Sequence, residues 1–155
     1  MPGMLPGETS ERLAKQSFLL EEFLIAEAKA GKLDLALNPV DQNKVMLHGH
    51  CHQKAFDTMG AVESALKLIP DLEVETIESS CCGMAGSFGY EADNQDISMS
   101  MGEMSLFPAV RQADGNTVVV ADGTSCRHQI LDGTDRTAIH VARVLDGALG
   151  NGGRE

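Results

Sequence analysis

Alternation of apolar and polar residues predicts three short β-strands in this chain, each followed by a helical pattern. The strands are predicted over 44–49, 72–78 and 116–121, because side chains of successive strand residues point to opposite faces of a sheet. The helices are predicted from Cys51 to Ile69, around Ile97 to Gln112, and from Arg127 onward. This alternation of strands and helices predicts an α/β domain of three layers, with a small, mostly parallel, Rossmann-like sheet between flanking helices.

Weaker patterns describe the rest of the chain. Apolar residues at helical spacing predict an N-terminal helix over 10–31 that ends at a glycine, and alternating leucines predict a short strand over 33–37. A last helix is predicted over 134–149. The resulting organisation is a disordered lead-in over 1–9, the N-terminal helix, the α/β domain over 32–149 and a frayed tail over 150–155. The Pro- and Gly-rich lead-in suggests a domain cut from a longer protein.

Composition narrows the classes of function. The chain has 155 residues, 43% of them hydrophobic, and a formal net charge of -11. This size suits one domain with a core, and the acidic charge argues against nucleic acid and anionic membranes as direct partners. We expect no membrane span, because no apolar run approaches the roughly 18 residues that one needs. An intracellular, reducing compartment is expected, where four cysteines are metal ligands or reactive thiols rather than disulfides.

All four cysteines lie in the segments that follow the predicted strands. Cys51 follows the first strand, Cys81 and Cys82 follow the second, and Cys126 follows the third. Right-handed crossovers place the carboxyl ends of parallel strands at one edge of the sheet, where α/β domains bind ligands. Neighbouring strands are about 4.8 Å apart, so these thiols can converge on one ion or a small cluster. The pattern favours a metal site over scattered structural cysteines.

Glycines follow the adjacent cysteines at intervals of three residues. Gly83 allows the sharp turn that both thiols need, since a Cβ there is costly. Gly83, Gly86 and Gly89 do not form the dinucleotide-binding fingerprint, and no acidic residue lies at the distance that it requires on a following strand. We expect this loop to turn backbone N–H groups towards negatively charged sulfur.

Histidines near the cysteines leave two interpretations open. His48 and His50 share a strand face and Cys51 takes the other, so these histidines cannot all bind a metal together with Cys51. His50 or His52 could complete a zinc site, but hydrogen bonding to neighbouring carbonyls or sulfurs is favoured. For His128 the two roles are equally supported.

Nucleophilic catalysis by cysteine is the main catalytic alternative. Cys82 or Cys51 would be the nucleophile, activated by a histidine of the 50–52 segment. This interpretation accounts for one cysteine but not for the equivalent placement of the others. A Ser/His/Asp triad has no supporting G-x-S-x-G motif.

The cysteine spacing resembles that of the cysteine-rich CCG domain. Cys51 is followed after 29 residues by Cys81-Cys82-Gly83, and 43 residues separate Cys82 from Cys126. That domain occurs in heterodisulfide reductase and in iron–sulfur subunits of glycolate oxidase and anaerobic glycerol-3-phosphate dehydrogenase. Three segments, over about residues 45–146, are also similar to the C-terminal end of large FAD-linked oxidases of the D-lactate or D-2-hydroxyglutarate dehydrogenase type: HGHCHQKA (48–55), CCGMAGSFGYE (81–91) and GTSCRHQI (123–130).

The resemblance implies a redox domain of a flavin-linked 2-hydroxyacid oxidoreductase. Its 4Fe-4S cluster would be bound by four cysteines, with His50, His52, His128, Gly83 and Gly86 as neighbours or, for the histidines, substitute ligands. FAD would belong to the parent enzyme, whose flavin and ferredoxin-like domains would be the partners in the cytoplasm or at the inner membrane surface. The excised domain alone would not oxidise a substrate. A structural zinc site or a metal-free interaction domain is the competing hypothesis.

Gly123 marks one departure from the family pattern. The pattern ends in C-x-x-C, its last cysteine matches Cys126, and its first falls on Gly123. The chain therefore offers four cysteines where the full motif has five. A cluster that needs all five is not expected, whereas a four-ligand cluster or a zinc ion is.

Overall fold

Residues 3–149 are described by the computed structural model, and the chain divides after Asp34 into two units. The first is helical, and the second, from Leu35 onward, contains the sheet and all four cysteines. The tail predicted over 150–155 and the first two residues of the predicted lead-in lie outside the described residues.

The N-terminal unit has two helices where the pattern predicts one. Helix α1 spans Glu8–Lys15 and begins inside the predicted lead-in, and α2 spans Leu20–Lys29. The single helix predicted over 10–31 is therefore wrong. The chain breaks between the two helices because the Glu22 carboxylate accepts a 2.8 Å hydrogen bond from the Leu19 N–H, which starts α2 anew.

The second unit is a parallel sheet flanked by helices. Its strands lie in the order β2-β1-β3-β4, and every neighbouring pair is parallel. The strands are β1 Lys44–His48, β2 Glu73–Thr76, β3 Val118–Ala121 and β4 Ala138–Ile139. The helices are α3 Cys51–Ala55, α4 Met59–Leu66, α5 Gln95–Glu103, α6 Leu106–Gln112, α7 Thr124–Thr134 and α8 Val141–Ala148. The predicted α/β class with a small parallel sheet is confirmed.

Side chains alternate between the two faces of the sheet. Met46 and Val119 are paired across β1 and β3, and they belong to a buried cluster with Phe107 of α6 and Ile130 of α7. Helices α4 and α8 contact each other and bury residues that belong to the opposite layer. Cys82 and Cys126 are part of the cluster on the α6 and α7 side. The layers therefore place two thiols at the end of the core itself.

Several predicted boundaries are wrong, for local reasons. The strand predicted over 33–37 does not form, and the chain there is irregular up to Asn38, whose N–H bonds the Ala148 carbonyl. The first crossover helix is interrupted between α3 and α4, where Asp57 has φ 56°. The helix predicted over 134–149 forms only in its second half, as α8, because Asp135 at φ 56° ends α7 and the chain then pairs with β3 as β4.

No helix within residues 3–149 combines the length and the apolar character needed to cross a membrane.

Candidate metal centre

The four cysteines lie in the loops that leave the carboxyl ends of three adjacent strands. Cys51 opens α3 after β1, Cys81 and Cys82 follow β2, and Cys126 lies in the first turn of α7 after β3. All four thiols are free of disulfides. The sulfurs of Cys82 and Cys126 are 3.2 Å apart, and both side chains are almost fully buried. The edge predicted from the sequence thus brings thiols from different loops into contact.

Cys82 and Cys126 share a proton in the metal-free protein. The hydrogen bond to Cys126 lowers the pKa of Cys82 to about 4, against the opposing effect of burial, and His48 and the Met84 N–H lower it further. The same hydrogen bond raises the pKa of Cys126, and burial adds to the rise. The pair therefore holds one thiolate and one thiol at neutral pH. A buried thiolate beside a buried thiol is an arrangement that a cation stabilises.

Cys51 and Cys81 form the more exposed part of the same group. Burial raises the pKa of Cys51, and the adjacent thiol of Cys81 raises it further. The charge of Lys54 acts in the opposite direction. These sulfurs also influence the pKa of Cys126, so the four cysteines form one electrostatic group.

His48 is the residue that the sequence-based site missed. Its side chain is 0% exposed at the end of β1, and a ring nitrogen lies within 4.8 Å of both the Cys82 and Cys126 sulfurs. Its Nδ1 is 2.9 Å from the hydroxyl of Ser79, and its Nε2 has no hydrogen-bond partner. The sequence does contain a signal for His48, because the last residue of a strand lies at the carboxyl edge of the sheet. That signal does not separate His48 from the other histidines near the cysteines, His50, His52 and His128.

The Cys-Cys-Gly turn depends on Gly83 in the way that the sequence predicts. Gly83 has φ +99°, and a Cβ there would overlap the carbonyl oxygen of Ser98. Its N–H also donates a 3.3 Å hydrogen bond to the Cys81 sulfur, as expected for backbone N–H groups turned towards sulfur. Gly86 has φ +72° with open space around it, so its contribution is backbone conformation.

Two side chains from other elements hold the turn in place. Gln129 of α7 is buried, and its amide nitrogen donates to the carbonyl oxygens of Cys82 and Ser98 at 3.0 and 2.9 Å. Lys54 of α3 donates to the carbonyl oxygens of Ser79 and Ser80. These bonds fix the backbone on both sides of the double cysteine and bring the Lys54 ammonium close to Cys51.

The three predicted histidines differ in position. His50 caps α3, and its Nδ1 accepts a 3.2 Å hydrogen bond from the His52 N–H. The His52 side chain is exposed and stacks edge-on against His50, with ring centroids 5.2 Å apart. His128 Nδ1 lies 2.7 Å from the Tyr90 hydroxyl at the surface. His50 is the one whose ring reaches the Cys126 side of the group.

Gly123 lies between His50 and Cys126. Its φ of -67° is accessible to every residue, so no left-handed conformation demands a glycine here. A Cβ at this position would be 2.9 Å from the Cys126 sulfur and would overlap the His50 ring. The position therefore faces the thiols, as a ligand position should, but His50 fills the space.

Asp122 connects this edge of the sheet. Its carboxylate accepts hydrogen bonds from the Gln53 amide at 2.6 Å and from the Val141 N–H at 3.1 Å. Gln53 in turn accepts a 3.0 Å hydrogen bond from the His50 N–H. The loops after β1 and β3 and the start of α8 are thus tied together, which fixes the position of His50.

Comparisons with known proteins find similarity to two kinds of dehydrogenase. The chain is 32% identical to the C subunit of the anaerobic glycerol-3-phosphate dehydrogenase of Escherichia coli strain K12 over 106 residues, which are 68% of this chain and 26% of that protein. It is 34% identical over 89 residues to the D-2-hydroxyglutarate dehydrogenase of the same strain, and 35% identical over 74 residues to that of Pseudomonas putida. These matches cover 56% and 48% of this chain, and 9% and 7% of the relatives.

The matched region is thus about a quarter of the glycerol-3-phosphate dehydrogenase protein and less than a tenth of the two D-2-hydroxyglutarate dehydrogenases. No protein-family model matches the chain, and no solved structure matches it significantly.

Proposed function

We propose that this chain is the electron-transfer domain of a flavin-linked 2-hydroxyacid oxidoreductase and that its cysteine edge binds an iron–sulfur centre. The observation that carries the proposal is the convergence of four free thiols from three strand ends, two of them 3.2 Å apart in the core. The relatives support the class of chemistry, because their names identify them as dehydrogenases. Electrons taken from a substrate need an acceptor, and thiolate-bound iron is one.

The residues present fit such a centre. Cys51, Cys81, Cys82 and Cys126 would hold the iron, which supplies one-electron redox chemistry when bound. Thiolates bound to iron carry negative charge, which the ammonium of Lys54 and the N–H of Gly83 would partly compensate. The buried pair excludes water from one side of the site, while Cys51 and Cys81 remain half-exposed towards a redox partner.

The same proposal implies a larger parent protein with further domains. This chain corresponds to the cysteine-rich CCG domain, and the flavin and ferredoxin-like domains of the parent are its partners. FAD belongs to the flavin domain, so the isolated chain does not oxidise a substrate. The parent works in the cytoplasm or at the surface of the inner membrane.

Iron and sulfide analysis of anaerobically purified protein tests the proposal. We expect iron together with acid-labile sulfide, and visible absorption near about 400 nm from thiolate-ligated iron. Cys82→Ser and Cys126→Ser should lose both signals. Glu73→Gln, a change at the amino end of β2 and far along the sheet from the cysteines, should keep them. Anaerobic wild-type protein that contains neither iron nor sulfide would contradict the proposal.

A single structural zinc ion is the second candidate. Two thiolates on one tetrahedral zinc, with Zn–S bonds of about 2.3 Å, stand about 3.8 Å apart. The 3.2 Å separation of Cys82 and Cys126 is close to that spacing, and His48 adds a nitrogen beside them. One equivalent of zinc without sulfide in the anaerobic protein would favour this candidate over the cluster.

A further inference from the structure

The geometry points to His48 as a nitrogen ligand of the metal centre, bound through Nε2 beside the sulfurs of Cys82 and Cys126. This inference rests on the proposed function, because it requires that the cysteine edge binds a metal. It changes the ligand set from four sulfurs to a mixed set of imidazole and thiolate. The metal class is a divalent ion such as zinc, cobalt or ferrous iron, or an iron of a cluster.

Burial is the first argument. His48 is 0% exposed, and its Nε2 has no hydrogen-bond partner. A buried polar atom without a partner loses its hydrogen bond to water and gains none, so such atoms are rare in folded proteins. An apolar residue in β1 would avoid this cost, as Leu47 does on the other face. A metal on Nε2 removes the cost.

The orientation of the ring is the second argument. Nδ1 is held 2.9 Å from the Ser79 hydroxyl oxygen, which also lies 3.4 Å from the Lys54 ammonium. The ammonium can only donate, so the hydroxyl oxygen accepts there, and its second lone pair can accept the Nδ1–H. With the proton on Nδ1, Nε2 has a lone pair for a metal, whereas with the proton on Nε2 the ring is the donor that lowers the pKa of Cys82 in the metal-free protein. Ligating histidines commonly have their other ring nitrogen fixed by such a bond.

His48 is also distinguished from the other histidines near the cysteines. The Nδ1 of His50 already accepts the His52 N–H, so neutral His50 carries its proton on Nε2 and is a donor there. The side chain of His52 is exposed. Nδ1 of His128 is engaged with the Tyr90 hydroxyl. Among these four, His48 is the one that is fully buried, with an unpartnered Nε2 and a ring nitrogen within 4.8 Å of two sulfurs.

The site so formed has a deep part and an outer part. The imidazole of His48 and the sulfurs of Cys82 and Cys126 supply three donors in the core. A half-exposed thiol, Cys81 or Cys51, supplies the fourth. One nitrogen and three sulfurs around a single ion form a tetrahedral set that zinc and cobalt accept.

Cobalt titration of the full chain, reduced, metal-free and under anaerobic conditions, tests the inference. His48→Gln keeps a polar side chain and an N–H donor but removes the imidazole ligand. We expect it to weaken Co²⁺ binding at least ten-fold and to change the ligand-field spectrum. His52→Gln is the matched control and should bind like the wild type. Equal affinity and an identical spectrum for His48→Gln and wild type would show that His48 is at most a hydrogen-bond donor.

A second measurement does not depend on the folding of a variant. X-ray absorption of the zinc-loaded wild type should show one imidazole together with sulfur scatterers. A shell of sulfur alone would overturn the inference, whatever His48→Gln does.

Iron-loaded protein separates this inference from the proposed function. A nitrogen coupling in the electron paramagnetic resonance spectrum of the reduced centre that disappears in His48→Gln would support both the iron–sulfur centre and His48 as its ligand. An iron–sulfur centre whose spectrum is unchanged in His48→Gln would leave the function intact and remove His48 from the ligands. Protein that contains neither iron nor sulfide but binds Co²⁺ through His48 would remove the proposed function and keep His48 among the ligands.

Discussion

The shared proton of Cys82 and Cys126 makes the stability of the metal-free protein depend on pH. The pKa of Cys82 is lowered to about 4 and that of Cys126 is raised. An unfolded cysteine has a pKa of about 8.5, so between these values the unfolded chain holds one more proton on the pair than the folded chain does. Stability should therefore rise with pH across this window. Above it the unfolded thiols ionise while Cys126 keeps its proton, and stability should fall again.

Urea unfolding of the reduced, metal-free protein at pH 6, 7, 8.5 and 10 measures this dependence. Carboxylates and Cys126 titrate in both the wild type and Cys82→Ser, so the difference between the two proteins isolates the ionisation of Cys82. That difference should grow up to about pH 8.5 and then level off, because above that pH Cys82 is ionised in the folded and the unfolded wild type alike. A difference that does not change with pH would show that the thiols do not share a proton.

Gly123 offers a test of the position that is a cysteine in the fuller family pattern. Its backbone is unstrained, but a Cβ meets the His50 ring and lies 2.9 Å from the Cys126 sulfur. We expect Gly123→Ala to destabilise the protein by about 1 kcal/mol, because the ring must move. Gly123→Cys should have a similar cost without metal and should bind Co²⁺ more tightly than Gly123→Ala.

Denaturant unfolding and Co²⁺ titration of both variants, each also made with His50→Ala, check this prediction. The steric cost should fall when the ring is absent, so the two changes together should cost less than their sum. Additive costs would place the strain elsewhere, and equal Co²⁺ affinities for the alanine and cysteine variants would exclude position 123 as a ligand position.

At this scale the sequence predicts the cysteines better than the histidines. The cysteines each follow a strand, and periodicity alone is enough to place them at one edge. Choosing among His48, His50 and His52 needs the burial of each ring and the partner of each nitrogen. The partner of the His48 Nδ1, for example, is Ser79, which is 31 residues away along the chain, and no local pattern encodes such a contact.

Among the elements, the Cys-Cys-Gly turn is where a single methyl group should matter most. Gly83 and Gly86 both have positive φ, at +99° and +72°. A Cβ on Gly83 would overlap the Ser98 carbonyl oxygen, whereas a Cβ on Gly86 would meet open space. We expect Gly86→Ala to cost about 1 kcal/mol for backbone strain alone and Gly83→Ala to cost at least twice as much.

Thermal unfolding of the two alanine variants gives the comparison, since Gly86→Ala controls for the effect of positive φ. Gly83→Ala should also lose metal binding, because the shift displaces Cys82. Similar melting temperatures for the two variants would mean that Ser98 moves aside freely.

The elements themselves were predictable to the extent that their patterns are long. β1, β2 and β3 carry four or five residues of alternating or continuous apolar character and were predicted within a few residues. β4 has two residues, which is too short for any period to show. The break between α1 and α2 depends on the Glu22 bond to the Leu19 N–H, in a stretch that keeps helical periodicity throughout.

For the whole molecule, strand order decides where a ligand can bind. In the order β2-β1-β3-β4 the chain leaves β1 in one direction and β3 in the other, which opens a crevice at their carboxyl ends. His48 ends β1, and Gly123 and Cys126 follow β3, so both walls of that crevice carry side chains of the proposed site. Strand order follows from long-range pairing, and the sequence indicated only that the three ends share an edge.

Exposure of the outer thiols predicts how the purified chain behaves in air. Cys51 and Cys81 are half-buried, whereas Cys82 and Cys126 are 2% and 1% exposed. Oxygen and water therefore reach a bound iron–sulfur centre from the Cys51 side, and vicinal thiols released by its loss oxidise readily. We expect aerobically purified chain to hold far less than one cluster per molecule, and anaerobically purified chain to hold much more.

Iron, sulfide and free-thiol analysis of the two preparations measures the difference. In the aerobic sample Cys51 and Cys81 should be the first thiols to oxidise and so to stop reacting with an alkylating reagent, because they are the accessible ones. Cys82 and Cys126 should remain reducible, since sulfurs 3.2 Å apart can close into a disulfide that a dithiol reopens. Iron near one cluster per chain after purification in air would show that the outer thiols are shielded far better than their exposure indicates.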